Sequence, residues 1–137
     1  MQFEIHATST KKRNSLQAIF PSIVEQVKLN SSKASVLVSL QSDCEEMGVT
    51  VPLGGNLFFI AMNSKMNTDE LIVTLSHEMI HVAQMAKGIL KPGRRGGNTW
   101  AGRYYPKSTP YLDRPWEIQA FSRQELVARR ALEAATT

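Results

Sequence analysis

Cysteine is almost absent from this 137-residue chain, and its single representative, Cys44, cannot form an internal disulfide, so a reducing compartment is expected. No apolar run approaches the length of a membrane span, and residues 1–10 lack the apolar core of a secretion signal. A cytoplasmic protein with no membrane association is therefore the expectation. Glycine and proline are sparse, at 8 and 6 residues, which argues against a fibrous or low-complexity chain. Acidic residues are outnumbered, 12 against 16 Lys and Arg, for a formal charge of +4. That imbalance leaves nucleic acid or an acidic protein surface open as a partner on charge alone, because the basic residues are scattered and no nucleic-acid-binding motif accompanies them.

What is present is an ordinary globular composition, 42% hydrophobic and 20% charged, over a length that suits one domain spanning residues 1–137. Phe3 to Ala7 reads as a short strand. Leu16, Ile19, Phe20, Ile23, Val24 and Val27 recur at spacings of three and four, which predicts a helix kinked or briefly broken at Pro21. Ser35–Leu40, Met47–Leu53 and Asn56–Met62 are rich in β-branched and aromatic residues between turn-formers and predict three strands, with Gly54-Gly55-Asn56 as a hairpin turn. A small, mainly antiparallel sheet is expected from them. Asn67 or Thr68 caps a central helix with Asp69 and Glu70 in its first turn, Leu71, Ile72, Leu75, Met79, Val82 and Met85 on its apolar surface, and Gly88 at its end. Residues 88–114 are broken by glycine and proline but carry Trp100, Tyr104, Tyr105 and Tyr111, which predicts an ordered functional loop with a short strand around Thr99–Tyr105. A last helix, Pro115–Ala134, is expected to bury Trp116, Ala120, Phe121 and Val127. The fold class is α+β.

The central helix contains His77-Glu78-Met79-Ile80-His81, an H-E-x-x-H pattern. With three His and nine Glu in the chain, a chance match is expected roughly once in a few hundred such sequences. Residues four apart project from one helix face, so both imidazoles can reach one Zn2+, while Glu78 lies beside the ion as a candidate general base. Zinc brings the pKa of a bound water to roughly 7, within reach of a carboxylate base. Two ligands are too few, because catalytic zinc commonly has three protein ligands and one open position. Positions 84 and 87 are Gln and Lys, which excludes the extended H-E-x-x-H-x-x-G-x-x-H pattern. A carboxylate is the expected third ligand, and Glu117, in the first turn of the last helix, is preferred over Asp113, His6 and Cys44.

His77-Glu78-x-x-His81 followed by Pro115-Trp116-Glu117-x-x-Ala120 resembles the gluzincin class of zinc peptidases, over about residues 56–121. In size the chain resembles small bacterial and phage metallopeptidase-like proteins such as the SprT-like and ImmA-like groups. It lacks the third histidine that SprT-like proteins supply after the motif, and the cysteines of a zinc-ribbon. The resemblance implies a minimal zincin: a small twisted sheet packed with an N-terminal helix, a central motif helix and a C-terminal helix. It further implies hydrolysis of a peptide bond in a peptide or protein substrate, which pairs as an extended strand with an edge strand ahead of the motif helix, for which Leu57–Met62 is the match. Tyr111 and Tyr105 are the favoured catalytic candidates for stabilising an oxyanion, ahead of Tyr104, Arg103 and Arg114. The alternative is a zinc-stabilised binding or structural protein that shares such a fold without hydrolysing anything.

Overall fold

The computed structural model describes residues 1–136. In chain order these form β1 (Gln2–His6), α1 (Thr10–Gln26), β2 (Ser35–Gln41), β3 (Gly48–Gly54), β4 (Leu57–Asn63), α2 (Thr68–Ala86), the short strands β5 (Leu90–Pro92), β6 (Asn98–Trp100) and β7 (Arg103–Tyr105), and α3 (Pro115–Thr136). Single 3-10 turns lie at Arg94–Gly96 and Tyr111–Asp113. The architecture is α+β, and no helix is long and apolar enough to cross a membrane among the described residues.

The main sheet has the order β1-β2-β4-β3. Its β1–β2 and β2–β4 pairings are parallel and only β3–β4 is antiparallel, so the sheet is mixed rather than mainly antiparallel. The connection explains the difference: α1 returns the chain to the starting end of β1, and β2 must then run the same way. β3 does not pair with β2 but takes the outside of β4, folded back through Gly54, Gly55 and Asn56 at φ of 88°, 60° and 64°. β4 is consequently an interior strand, and Leu57–Met62 is not an edge; the free edge beside α2 belongs to β3. The segment after α2 forms a second, antiparallel sheet of order β5-β6-β7 where a single short strand was expected.

Alternation along β2 and β4 turns Val36, Val38, Leu40, Phe58, Ile60 and Met62 to one face, where they meet Leu16, Phe20 and Ile23 of α1 and Leu71, Leu75 and Met79 of α2. α1 runs unbroken through Pro21. Pro21 and Gln17, whose carbonyl would otherwise receive the missing N–H, are both exposed, which leaves that carbonyl open to solvent. α3 packs on α1 and α2 through Trp116, Ala120, Val127, Ala128 and Ala131. Phe121 is not part of this stripe: it is 67% exposed, one residue and thus about 100° around the helix from Ala120. The small side chains of Ala120 and Ala128 let the helices approach closely. On α2, Leu71, Leu75, Met79 and Val82 are fully buried, each contributing roughly 2 kcal/mol. That apolar burial offsets the cost of enclosing Ser76, Glu78, His81 and Gln84 on the same helix.

Candidate metal centre

The phase of α2 is set at its start. The Asn67 side chain accepts from the Glu70 backbone N–H at 2.9 Å, and the Glu70 carboxylate accepts from the Asn67 N–H at 3.1 Å, a reciprocal cap that stops the helix from beginning elsewhere. Ten and fourteen residues on, His77 and His81 face α3, whose first turn presents Glu117. Glu117 Oε1 lies 3.1 Å from His77 Nε2 and 2.9 Å from His81 Nε2. The three ligand atoms are all within 4.8 Å of one another, and among the described residues this is the one group of His, Cys, Asp and Glu side chains so arranged.

The outer nitrogens decide what the inner ones can do. His81 Nδ1 lies 2.8 Å from Gln84 Oε1, and the orientation of that amide is fixed because its Nε2 donates to Trp116 O and Gln119 Oε1, each at 3.0 Å. His81 therefore donates from Nδ1, and in the neutral ring Nε2 holds a lone pair aimed at a carboxylate oxygen. His77 repeats the arrangement with Nδ1 2.7 Å from Gln124 Oε1. Two imidazole lone pairs and an anionic oxygen converging at about 3 Å repel one another unless a cation or extra protons sit between them. Burial alone would lower the His81 pKa, but hydrogen bonding to Glu117 and its charge, with Gln84 and the charge of Glu78, raise it above the ordinary value. Burial likewise opposes ionisation of Glu117, yet its bonds to both histidines hold its carboxyl far below the usual range. The residues fit zinc: tetrahedral bonds near 2.05 Å place ligand atoms about 3.3 Å apart, close to the two separations seen.

Glu78 sits beside this cluster and not in it, with Oε2 4.0 Å from His77 Nε2 and Oε1 receiving a 2.7 Å hydrogen bond from the Thr50 hydroxyl. Its pKa is raised, chiefly by burial, with His81, Thr50 and His77 acting the other way. The cluster opens into a cleft of about 920 Å3 lined by Met47 to Thr50, by Leu90, Pro92 and Gly93, and by Tyr111 and Phe121. The Tyr111 hydroxyl donates to Glu117 Oε1 at 3.2 Å. Burial and the negative Glu117 push its pKa up to about 12, so it remains a donor throughout the physiological range.

The other candidates lie elsewhere. Tyr105 packs edge-on against Trp116, ring centres 5.7 Å apart, and does not line the cleft; Arg103 stacks over Tyr105. Tyr104 donates to Arg94 O, and Arg114 bonds Thr109 O. Asp113 is exposed, Cys44 donates to Glu46 O in the turn before β3, and His6 pairs with Glu4 on β1, the opposite edge of the sheet. Thr50, Gln84 and Gln124 are site residues that no motif marks. Gln84 and Gln124 were detectable in principle: Gln84 is three residues after His81 and Gln124 is seven after Glu117, each on the ligand's own helix face.

The chain matches no protein-family model, no curated protein and no solved structure. The site itself is therefore the ground for assigning a function.

Proposed function

We propose that this protein is a zinc-dependent peptidase, with His77, His81 and Glu117 holding the metal and Glu78 acting as general base. The observation that carries it is the convergence of two imidazole Nε2 atoms on one carboxylate oxygen, at 3.1 and 2.9 Å, with their outer nitrogens against glutamine carbonyls. When bound, zinc supplies a Lewis acid that polarises a carbonyl and makes water a nucleophile near neutral pH. Glu78, with Oε2 on the side of the cluster, takes a proton from the attacking water and returns it to the leaving amine. Burial raises the proton affinity of Glu78, which favours its taking a proton from water. Tyr111, whose hydroxyl donates to Glu117 Oε1 and whose side chain lines the cleft, is the donor available to the charge that develops on the substrate oxygen; Tyr105 packs on Trp116 outside the cleft lining and is given no step.

The likeness of the two motifs to gluzincins supports the peptide bond as substrate, as does a cleft lined by residues of a free strand edge. Extended polypeptide adds to such an edge by backbone hydrogen bonding. Glu78→Gln separates this proposal from a zinc-stabilised binding protein. The variant is expected to keep its zinc and lose about 10²- to 10⁴-fold in turnover. Full turnover in the variant removes Glu78 from the role, and zinc binding with no turnover in the native protein favours the binding protein.

A further inference from the structure

The open edge of β3 has a register that the β3–β4 pairing fixes. Met47 O accepts from Asn63 N at 3.0 Å, so Met47, and by two-residue alternation Val49 and Val51, turn their backbone groups toward β4. Gly48, Thr50 and Pro52 consequently turn theirs outward, to the cleft side that has no strand partner. Pro52 has no N–H, which leaves Gly48 and Thr50 as the positions that can both donate to and accept from an added strand.

Thr50 has a second attachment. Its hydroxyl reaches α2, donating to Glu78 Oε1 at 2.7 Å and lying 3.3 Å from Glu78 O. Among the described residues it is the one hydroxyl bonded to the Glu78 carboxylate, and it leaves Oε2 turned toward the ligand cluster, 4.0 Å from His77 Nε2. Gly48, the other outward position, gives the carboxylate its space: a Cβ there would stand 3.1 Å from Glu78 Cγ and 3.2 Å from Oε2. One short stretch of edge strand therefore presents pairing groups to the cleft and also shapes the seat of the base.

We propose that Thr50 is a positioning residue which couples occupancy of the β3 edge to the orientation of Glu78: its main chain aligns extended substrate while its side chain holds the base. This rests on the peptidase reading and extends it. An added strand that pairs with the Thr50 backbone stiffens the residue whose hydroxyl fixes Oε1, so Oε2 is held in line for proton transfer when substrate is present. A threonine suits the position because its β-branch favours the strand and its hydroxyl reaches the carboxylate.

The test compares Thr50→Val, which keeps the β-branch and removes the donor, with Thr50→Ser, which keeps the donor. Zinc content and thermal melting of both variants establish that they fold and load metal. With zinc-loaded protein and fluorescein-labelled casein as probe, Thr50→Val is expected to lower the limiting rate roughly ten- to a hundredfold at unchanged half-saturation, and Thr50→Ser to restore it to within about threefold. A second readout needs no turnover: in metal-free protein the 13C resonance of the Glu78 carboxyl is expected to move in Thr50→Val and stay in place in Thr50→Ser. A native limiting rate in Thr50→Val, or an unmoved Glu78 resonance, overturns the role of Thr50 and leaves the peptidase reading standing. Absence of casein cleavage by the native zinc protein overturns that reading itself and the catalytic half of the proposal, and the resonance then decides alone whether Thr50 holds Glu78.

Discussion

Replacing Gln84 by Met probes how far the metal centre depends on side chains that never touch the metal. Gln84 is 3% exposed and makes three hydrogen bonds, to His81 Nδ1, Trp116 O and Gln119 Oε1. Met has nearly the same length and volume, so packing is conserved while all three bonds vanish. The His81 Nδ1–H is then left unpaired in a buried setting, at about 1–3 kcal/mol, while the Trp116 carbonyl keeps its helical bond within α3 and the half-exposed Gln119 turns to water. A net loss of roughly 1–3 kcal/mol is expected, which for a domain of this size lowers the melting temperature by about 3–12 °C. The histidine also loses the partner that fixes its tautomer and ring orientation, and zinc affinity should fall about 10- to 100-fold. Gln124→Ala is the contrast: it releases only His77 at a half-buried position, so affinity should fall comparably with less than about 1 kcal/mol of stability lost. Chelator competition and thermal melts on both variants decide the matter. Zinc affinity within threefold of native in Gln84→Met would refute the claim that the outer glutamines set the ligand tautomers.

Gly48→Ala places a methyl group 2.7 Å from Thr74 Cγ2 and 3.1 Å from Glu78 Cγ, so the base is pushed from its seat; turnover should drop at least about tenfold while zinc stays bound, and unchanged turnover argues that the Glu78 pocket is slack. In metal-free protein the raised His81 pKa contributes stability that is full below 6.5 and lost as pH rises through the folded value, and the lowered Glu117 contributes stability that is full above 4.5 and lost as pH falls below it. Chelator-treated protein should therefore melt progressively lower from pH 6.5 upward, and a melting temperature that climbs over that range contradicts the assignment. Metal loading displaces the His81 proton, so apparent zinc affinity should increase with pH through 6.5 and level off only above the raised value; a pH-independent affinity would mean that His81 is not a ligand.

Local pattern was enough for the parts of this molecule that local interactions specify. The 3.6 periodicity of α1 and α2, the Asn67 cap and the H-E-x-x-H spacing are all short-range, and the elements they predicted are present at nearly the predicted bounds. Glu117 was legible because Pro115 and Trp116 mark a helix start, and the structure brings it to the two histidines. Strand order was not legible, since nothing within Gly48–Gly54 states that it passes β2 and pairs with the far side of β4. That long-range choice moved the free edge from Leu57–Met62 to β3. Phe121 was assigned to the core because apolar character alone does not distinguish a helix's buried stripe from the adjoining flank that lines a cleft. Thr50 is a contact between residues 28 apart in sequence and carries no motif, so only the fold reveals it.

The central claim is that these side chains hold a metal, and zinc content by elemental analysis tests it most directly. Protein purified without added metal would be measured beside His81→Ala and Glu117→Ala. About one zinc per chain is expected in the native protein, with a marked fall in both variants. A native chain with no zinc, and none taken up at micromolar supply, would contradict it.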